Sequence, residues 1–159
     1  MLLIDGYNLL HSGQPVSREK LPQARQELSV LVARYCEAAG LRARIVFDFT
    51  HGPPAFGIPL RQKVGTVEVW FTPKGVTADD EIIGIIEGTE DRTAFTVVTS
   101  DRGIADAVTK RQVKVTASEA FRKEMAEALR GGETEAPEKT QGLGPGEVDY
   151  WMKEFGLDE

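Results

Sequence analysis

The chain has 159 residues and a formal net charge of −6, with 41% hydrophobic and 28% charged residues. This length suits one domain with a buried core, and no apolar run approaches the roughly 20 residues that span a bilayer, which excludes a membrane protein. Cys36 is the only cysteine, which excludes an intrachain disulfide and a thiolate-rich zinc site and suggests core packing. No basic segment precedes the first apolar stretch, so we expect a cytoplasmic location.

The net negative charge argues against a polyanionic partner, because Lys and Arg side chains drive phosphate binding. Much of the acid lies near the C-terminus, however, and the rest of the surface is nearly balanced. Either that surface is a mixed, solvated one, or its basic residues form a rim around a site. The candidates for such a rim are Arg42, Arg44, Arg61, Lys63, Lys74, Arg102, Lys110, Arg111 and Lys114.

In the first half of the chain, apolar patterning predicts a strand over residues 2–4, followed by a loop at Asp5-Gly6-Tyr7-Asn8. Apolar residues then recur every three or four positions over residues 20–39, which predicts an amphipathic helix. A second strand over residues 43–47 ends in Asp48. Residues 50–63 are rich in glycine and proline, so we expect a long surface loop there.

In the second half, patterning predicts strands over residues 66–71, 95–98 and 113–115. Helices are predicted over residues 78–87, 102–110 and 118 to about 130, the last capped by Ser118. Strands that alternate with helices form parallel sheets covered on both faces. The sequence therefore predicts an α/β fold, a Rossmann-like three-layer sandwich with a parallel sheet of about five strands.

The composition changes after this region. Residues 131–146 are rich in Gly, Glu, Thr, Pro and Lys and predict a flexible linker. Apolar residues at helical spacing over residues 147–159 predict a C-terminal amphipathic helix that docks onto the domain or a partner. We thus expect one domain over residues 1–130, a linker and a terminal helix.

Carboxylates recur where predicted strands end. Asp5, Asp48 and Asp101 each follow a strand, and Asp79 and Asp80 open the helix after the third strand. The carboxyl ends of parallel strands share one edge of a sheet, so these acids would lie close together and repel unless a cation neutralised them. All-oxygen ligation suits Mg²⁺ or Mn²⁺, and metal-assisted phosphodiester hydrolysis uses such a site directly.

Each acid also has a purely structural interpretation. Thr77 and Asp80 fit a helix-capping pair, and Asp101 would lie in a first turn capped by Ser100. Asp48 would simply end a strand, and Asp5 would belong to an Asp-Gly turn. Independent caps need not all fall on one edge of the sheet, so the joint placement favours a functional cluster.

Five segments together resemble the NYN domain, in particular its bacterial YacP-like branch: residues 3–10 (LIDGYNLL), 46–48 (VFD), 69–72 (VWFT), 77–83 (TADDEII) and 97–101 (VVTSD). The resemblance covers about residues 1–130. It implies a PIN-like fold, dependence on Mg²⁺ or Mn²⁺ and endonucleolytic cleavage of single-stranded RNA. In this branch it also implies a link to RNA decay or to translating ribosomes.

Carried over to this sequence, the resemblance implies that Asp5, Asp80 and Asp101 hold the metal, with Asp79 as an adjacent acid. Asn8 would complete the catalytic set as a polar ligand or phosphate contact. Ala78-Asp79-Asp80 stands where many YacP-like sequences have Ala-Asp-Glu, which leaves open whether Asp79 or Asp80 is the nearer ligand. Outer candidates are Asp48 and Asp106, and the expected substrate contacts are Tyr7, Asn8, Ser100, Arg102 and Lys74.

The predicted function is that of a metal-dependent endoribonuclease acting on single-stranded RNA, with mRNA and the ribosome as the expected partners. The oligomeric state is left open. The alternative is a non-catalytic module that binds RNA or the ribosome through a PIN-like fold. A receiver-like or phosphohydrolase domain, with Asp48 phosphorylated, ranks lower because no Asp-x-Asp follows the first strand.

Overall fold

The computed structural model describes residues 1–13, 15–50, 54, 56, 57 and 59–135. Strands and helices alternate along these residues, as the hydrophobic pattern predicts. The strands are β1 (Leu2–Asp5), β2 (Ala43–Phe47), β3 (Arg61–Val64), β4 (Val67–Phe71), β5 (Thr96–Val98) and β6 (Lys114–Thr116). The helices are α1 (Gly6–His11), α2 (Leu21–Ala39), α3 (Ala78–Glu87), α4 (Arg102–Thr109) and α5 (Ser118–Glu135).

The strands form one sheet in the order β3-β4-β2-β1-β5-β6. All neighbouring strands are parallel except β3, which pairs antiparallel with β4 at one edge. The chain builds outward from β1 to one side through β2 and β4, and then returns to build the other side through β5 and β6. This order confirms the predicted α/β architecture and puts the reversal of strand order at β1, where such sheets bind ligands.

Two apolar cores hold the helices on opposite faces of the sheet. One lies under α2 and α5 and includes Ile45, Phe47 and Cys36, which is fully buried as predicted. The other lies under α3 and α4 and includes Leu3 and Val46. Alternate residues of β1 and β2 thus face different helix layers, as a sheet covered on both sides requires. No helix in the described part of the chain is long and apolar enough to cross a membrane.

Strand β3 corrects the predicted loop over residues 50–63. Arg61 pairs with Trp70 and Lys63 pairs with Glu68, and a turn at Gly65, with φ of 59°, joins the two strands. The glycine and proline upstream dominate the local pattern, whereas the pairing depends on β4, which no local pattern reveals. Residues 51–53, 55 and 58 of the predicted loop lie outside the described residues.

Helix α1 corrects the predicted loop after the first strand. It starts at Gly6, where a Cβ atom would lie 2.5 Å from the ring of Phe47. Only glycine allows the first turn to approach β2 so closely, so the Asp-Gly pair marks close packing here instead of a turn. Six residues are too few to show helical periodicity in the sequence.

Helix α5 extends beyond residue 130, the predicted end of the domain. Its backbone is helical to Glu135, five residues into the stretch predicted as a linker. Ser118 is its first helical residue and therefore not the predicted cap. Residues 136–146 of the predicted linker and the predicted helix over residues 147–159 lie outside the described residues.

Candidate active site

A cleft of about 390 Å³ opens at the carboxyl ends of the central strands, where the strand order reverses. Side chains from β1, α1, α3 and α5, together with residues that follow α1, β2 and β5, line it. They are Asp5, Tyr7, Asn8, His11, Ser12, Asp48, Ala78, Asp79, Ser100 and Glu119. The cleft therefore brings together several of the residues predicted from the ends of the strands.

Asp5 ends β1 at the floor of this cleft and is only 8% exposed. Burial raises its pKa to about 6, and the charge of Asp79 and, more weakly, that of Asp101 act in the same direction. The Thr99 hydroxyl, which donates to Asp5 Oδ2 at 3.2 Å, and the backbone of Asn8 lower the pKa only in part. At neutral pH the folded protein thus holds a buried carboxylate that a nearby cation would stabilise.

Asp79 and Asp80 differ in position although they are adjacent. The Thr77 hydroxyl accepts a hydrogen bond from the backbone N–H of Asp80 at 3.1 Å, which confirms Thr77 as the cap of α3. Asp79 is half-buried and lines the cleft, and its pKa is raised by burial and then by Asp101. Asp80 is exposed and is not among the residues that line the cleft. The structure therefore brings Asp79 closer to Asp5.

Asp101 follows β5 and caps α4. Its Oδ1 accepts from the backbone N–H of Ile104 at 3.1 Å, so the predicted cap, Ser100, is wrong. Asp101 still lies close enough to raise the pKa of both Asp5 and Asp79. Asp101 is itself exposed and is not among the residues that line the cleft. This carboxylate therefore fixes the start of a helix and adds negative charge beside the cleft.

Asp48 follows β2 and lies buried in the lining of the cleft. Its Oδ1 accepts from the backbone N–H of Thr50 at 2.9 Å, which bends the chain away from the strand. The structure thus places the outer candidate Asp48 beside the predicted cluster.

Asn8 links three segments around the cleft. Its Oδ1 accepts from the backbone N–H of Ser100 at 2.8 Å and from the Ser118 hydroxyl at 2.7 Å. The backbone N–H of Ser118 in turn donates to the Ser100 hydroxyl oxygen at 2.9 Å. A carbonyl oxygen has two lone pairs, and both are used inside the protein here. Asn8 therefore orients the walls of the cleft, whatever else its NH₂ group contacts.

Glu119 is a cleft residue that the sequence analysis missed. It lies in the first turn of α5, is exposed, and accepts from the Ser100 hydroxyl at 2.5 Å. That hydrogen bond is the main cause that lowers its pKa. Glu119 follows β6 by three residues, so the rule that found the other acids at strand ends would have found it as well.

The predicted substrate contacts are divided between the cleft and the outer surface. Tyr7 lines the cleft with its ring centroid 6.1 Å from that of His11 in a stacked arrangement. Lys74 and Arg102 are exposed, like the outer candidate Asp106, and none of these three lines the cleft. The structure therefore brings the aromatic contact to the carboxylates and leaves these two basic contacts outside.

The chemistry of the cleft fits a divalent cation. Its donors are carboxylate oxygens, which Mg²⁺ and Mn²⁺ prefer, and their mutual repulsion is relieved by positive charge. As the side chains of the described residues stand, no three acidic, histidine or cysteine groups lie close enough to hold one ion. The donor set is thus suitable, while its members already have hydrogen bonds within the protein.

Comparison with known proteins identifies the family. The family model of the YacP-like NYN domain matches residues 2–154 of the sequence. The chain belongs to this family. This confirms the resemblance seen in the sequence, and membership of this family of PIN-like nucleases supports a ribonuclease role.

Two solved structures resemble this YacP-like NYN domain. The crystal structure of Rae1 (YacP) from Bacillus subtilis is 25% identical, with a TM-score of 0.73, and the match covers 88% of this chain and 81% of that one. The W164L mutant of Rae1 is 23% identical, with a TM-score of 0.71 and coverage of 97% and 91%, and shows the shared fold alone. No curated protein matches the chain in sequence.

Proposed function

We propose that this YacP-like NYN domain is a Mg²⁺- or Mn²⁺-dependent endoribonuclease that hydrolyses phosphodiester bonds of single-stranded RNA. Its substrate is mRNA, including mRNA on ribosomes, and the activity is cytoplasmic. The observation that carries this proposal is the buried Asp5 carboxylate, whose pKa is raised to about 6 beside Asp79 and Asp101. A buried carboxylate beside two other acids is destabilising unless a cation neutralises it.

Asp5, Asp79 and Asp101 would hold the metal, with Asp80 at the rim and Asp48 beside them. When bound, Mg²⁺ or Mn²⁺ supplies a Lewis acid that polarises the phosphoryl oxygen and lowers the pKa of water. The hydroxyl of Thr99 keeps Asp5 in one orientation, and the Asn8 amide keeps Ser100 in place. These contacts hold the oxygen donors in position before RNA binds.

The shape of the cleft favours single strands. It is open, and the stacked Tyr7 and His11 rings at its wall offer an aromatic surface for a base. Bases of a single strand are free to turn outward and stack on such rings, whereas paired bases in a helix are not. An endonuclease needs access to internal bonds, and an open cleft allows a strand to pass through.

The test compares the wild-type chain with Asp101→Asn on labelled single-stranded RNA in Mn²⁺, Mg²⁺ or EDTA. Asparagine caps helices about as well as aspartate, so α4 should remain intact while one negative charge is lost. We expect metal-dependent cleavage by the wild type and a rate lower by roughly 100- to 1000-fold in the variant. Equal cleavage by both proteins, or intact RNA under both metals, would contradict the proposal.

A second candidate is a non-catalytic RNA-binding module. The observation that favours it is the Asp101 carboxylate, which already caps α4. Such a module would bind RNA in EDTA, would not cut it in any metal, and would keep its affinity in Asp5→Asn. The nuclease, by contrast, should lose cleavage in that variant.

A further inference from the structure

Two arginines stack on one tryptophan at the β3 edge of the sheet. The guanidinium carbons of Arg44 and Arg61 each lie 3.8 Å from the ring centroid of Trp70. Because β4 lies between β2 and β3, the two guanidinium groups reach the ring from the neighbouring strands. We call Arg44, Arg61, Lys63 and Trp70 the arginine platform.

The outer part of the platform carries positive charge that forms no ion pair within the described part of the chain. Arg44 pairs with Glu68 at 3.0 Å, and the two side chains are partly exposed, at 17% and 26%. Arg61 and Lys63 are exposed on β3 and form no ion pair with any described residue. The exposed face of this edge is therefore basic, in a chain whose net charge is −6.

The platform and the cleft lie on one row of the sheet, that is, on one line of paired residues that crosses the strands. Asp5 pairs with Val46, Val46 with Trp70, and Trp70 with Arg61. Side chains of paired residues point to the same face, so Arg61 lies on the face of Asp5 at three strand spacings of about 4.8 Å, roughly 14 Å away. That separation corresponds to a few nucleotides of an extended strand.

We propose that the arginine platform binds the phosphate backbone of single-stranded RNA a few nucleotides from the bond that is cut. The inference rests on the proposed function, since it names the path of the substrate beyond the cleft. A guanidinium group donates two parallel hydrogen bonds to a phosphate, and Trp70 holds that of Arg61 in one plane. Less side-chain freedom is then lost on binding, which favours affinity.

The platform also has a simpler interpretation. Charged side chains on an edge strand prevent other strands from pairing with it, and that role needs no RNA. If this were their whole role, the charges on β3 would contribute no more to RNA binding than those on the opposite edge strand, β6. Lys114 on β6 is exposed and provides that comparison.

The experiment measures fluorescence anisotropy of a labelled single strand of about 16 nucleotides in EDTA over a series of KCl concentrations. The full-length proteins compared are the wild type, Arg61→Gln, Lys63→Gln and the matched control Lys114→Gln. We expect each β3 variant to weaken binding up to about tenfold and to lower the salt slope by about one, with no change in the control. Equal binding by all three variants, or no binding by the wild type, would overturn the proposal.

Two further measurements separate folding from binding. Loss of the Trp70 contact in Arg61→Gln could reduce stability, so its melting temperature is measured alongside that of Arg61→Lys, which keeps the charge. Lys63 lies outside the Trp70 stack. If Arg61→Gln does not fold, Lys63→Gln therefore shows whether the charges on β3 bind RNA.

Cleavage in Mn²⁺ then distinguishes the platform from the cleft. We expect Arg61→Gln to raise KM for a strand of about 16 nucleotides, and to leave kcat and the cleavage of a strand of about 4 nucleotides unchanged. An equal loss on both lengths would contradict the proposal. If the wild type cuts neither strand, the proposed nuclease activity fails, while the anisotropy data still decide whether the platform binds RNA.

Discussion

The cleft and the arginine platform lie on one row of the same sheet but differ in the surroundings of their charged groups. The acids of the cleft lie near other acids, whereas the arginines have stabilising partners. At the cleft, the charges of Asp79 and Asp101 raise the pKa of Asp5, and the charge of Asp101 raises that of Asp79. On the platform, Arg44 has a carboxylate and an aromatic ring as partners, and Arg61 has the ring. The cleft therefore holds a buried carboxylate whose ionisation reduces stability, whereas the platform holds arginines whose charge is stabilised by a ring and a carboxylate. The predictions below test this contrast.

The largest effect is expected within the cleft, from two adjacent acids. Asp79→Asn should lower the cleavage rate roughly 100- to 1000-fold, because Asp79 lines the cleft beside Asp5. Asp80→Asn should lower it less than about tenfold, because Asp80 is exposed and outside the lining. Single-turnover cleavage of labelled RNA in Mn²⁺ measures both rates, and the two variants differ from wild type by the same chemical change.

The reverse order of these two rates would show that Asp80 is the nearer ligand. It would also mean that α3 turns when metal binds. Equal rates would remove the contrast between the two acids.

The second effect concerns the stability of the metal-free protein. The pKa of Asp5 in the folded protein is about 6, above its ordinary value of 3.8, so ionisation of Asp5 destabilises the fold. This loss is absent below about pH 4, grows as the pH rises to about 6 and is then complete, on the order of 3 kcal/mol. Asp5→Asn avoids it and should be more stable than the wild type at neutral pH, although it should not cut RNA.

Urea unfolding in EDTA at about pH 4 and about pH 7 measures this effect in the two proteins. The difference in unfolding free energy between them should widen with pH, and saturating Mn²⁺ should narrow it by stabilising only the wild type. A difference that stays constant with pH would show that ionisation of Asp5 does not lower the free energy of unfolding.

A smaller effect is expected beneath the cleft. Gly6→Ala would place a Cβ atom 2.5 Å from the ring of Phe47, so the first turn of α1 must move. We expect a loss of about 1 to 3 kcal/mol in unfolding free energy, as for other overpacked cores. Thermal unfolding of the two proteins measures the loss, and an unchanged melting temperature would show that the ring has room to shift.

The smallest effect is expected on the platform. Glu68→Gln removes the ion pair with Arg44 but leaves the contact of Arg44 with Trp70. We expect a change of less than about 1 kcal/mol in unfolding free energy, because partly exposed ion pairs contribute little. Urea unfolding measures it, and a change as large as that in Asp5→Asn would break the contrast between the two regions.

Much of this fold follows from the sequence because its determinants are local. The cap at Thr77 and the apolar spacing behind it define α3 to the residue, and the buried strand over residues 43–47 is equally well defined. The positions of Asp5, Asp48 and Asp101 then follow from the rule that parallel strands end at one edge. These are features in which propensity, pattern and topology agree.

The features that the sequence analysis missed depend on distant partners. β3 exists because Arg61 and Lys63 find β4, and their polar pattern alone is typical of a loop. The role of the Asn8 amide depends on Ser100 and Ser118, which only the folded chain brings near. The same holds for the difference between Asp79 and Asp80, since adjacent positions on a helix point in directions about 100° apart.

The Asn8 amide also has a consequence for the order in which the protein matures. Asn8 accepts hydrogen bonds from Ser100 and Ser118, which follow it in the chain by 92 and 110 positions. These contacts between the walls of the cleft therefore form only after α5 has been made and has packed. A growing chain that carries Asp5 but still lacks Ser118 also lacks the hydrogen bond that ties α5 to Asn8. The potential to damage RNA therefore arises late in synthesis, when nearly the whole domain has left the ribosome.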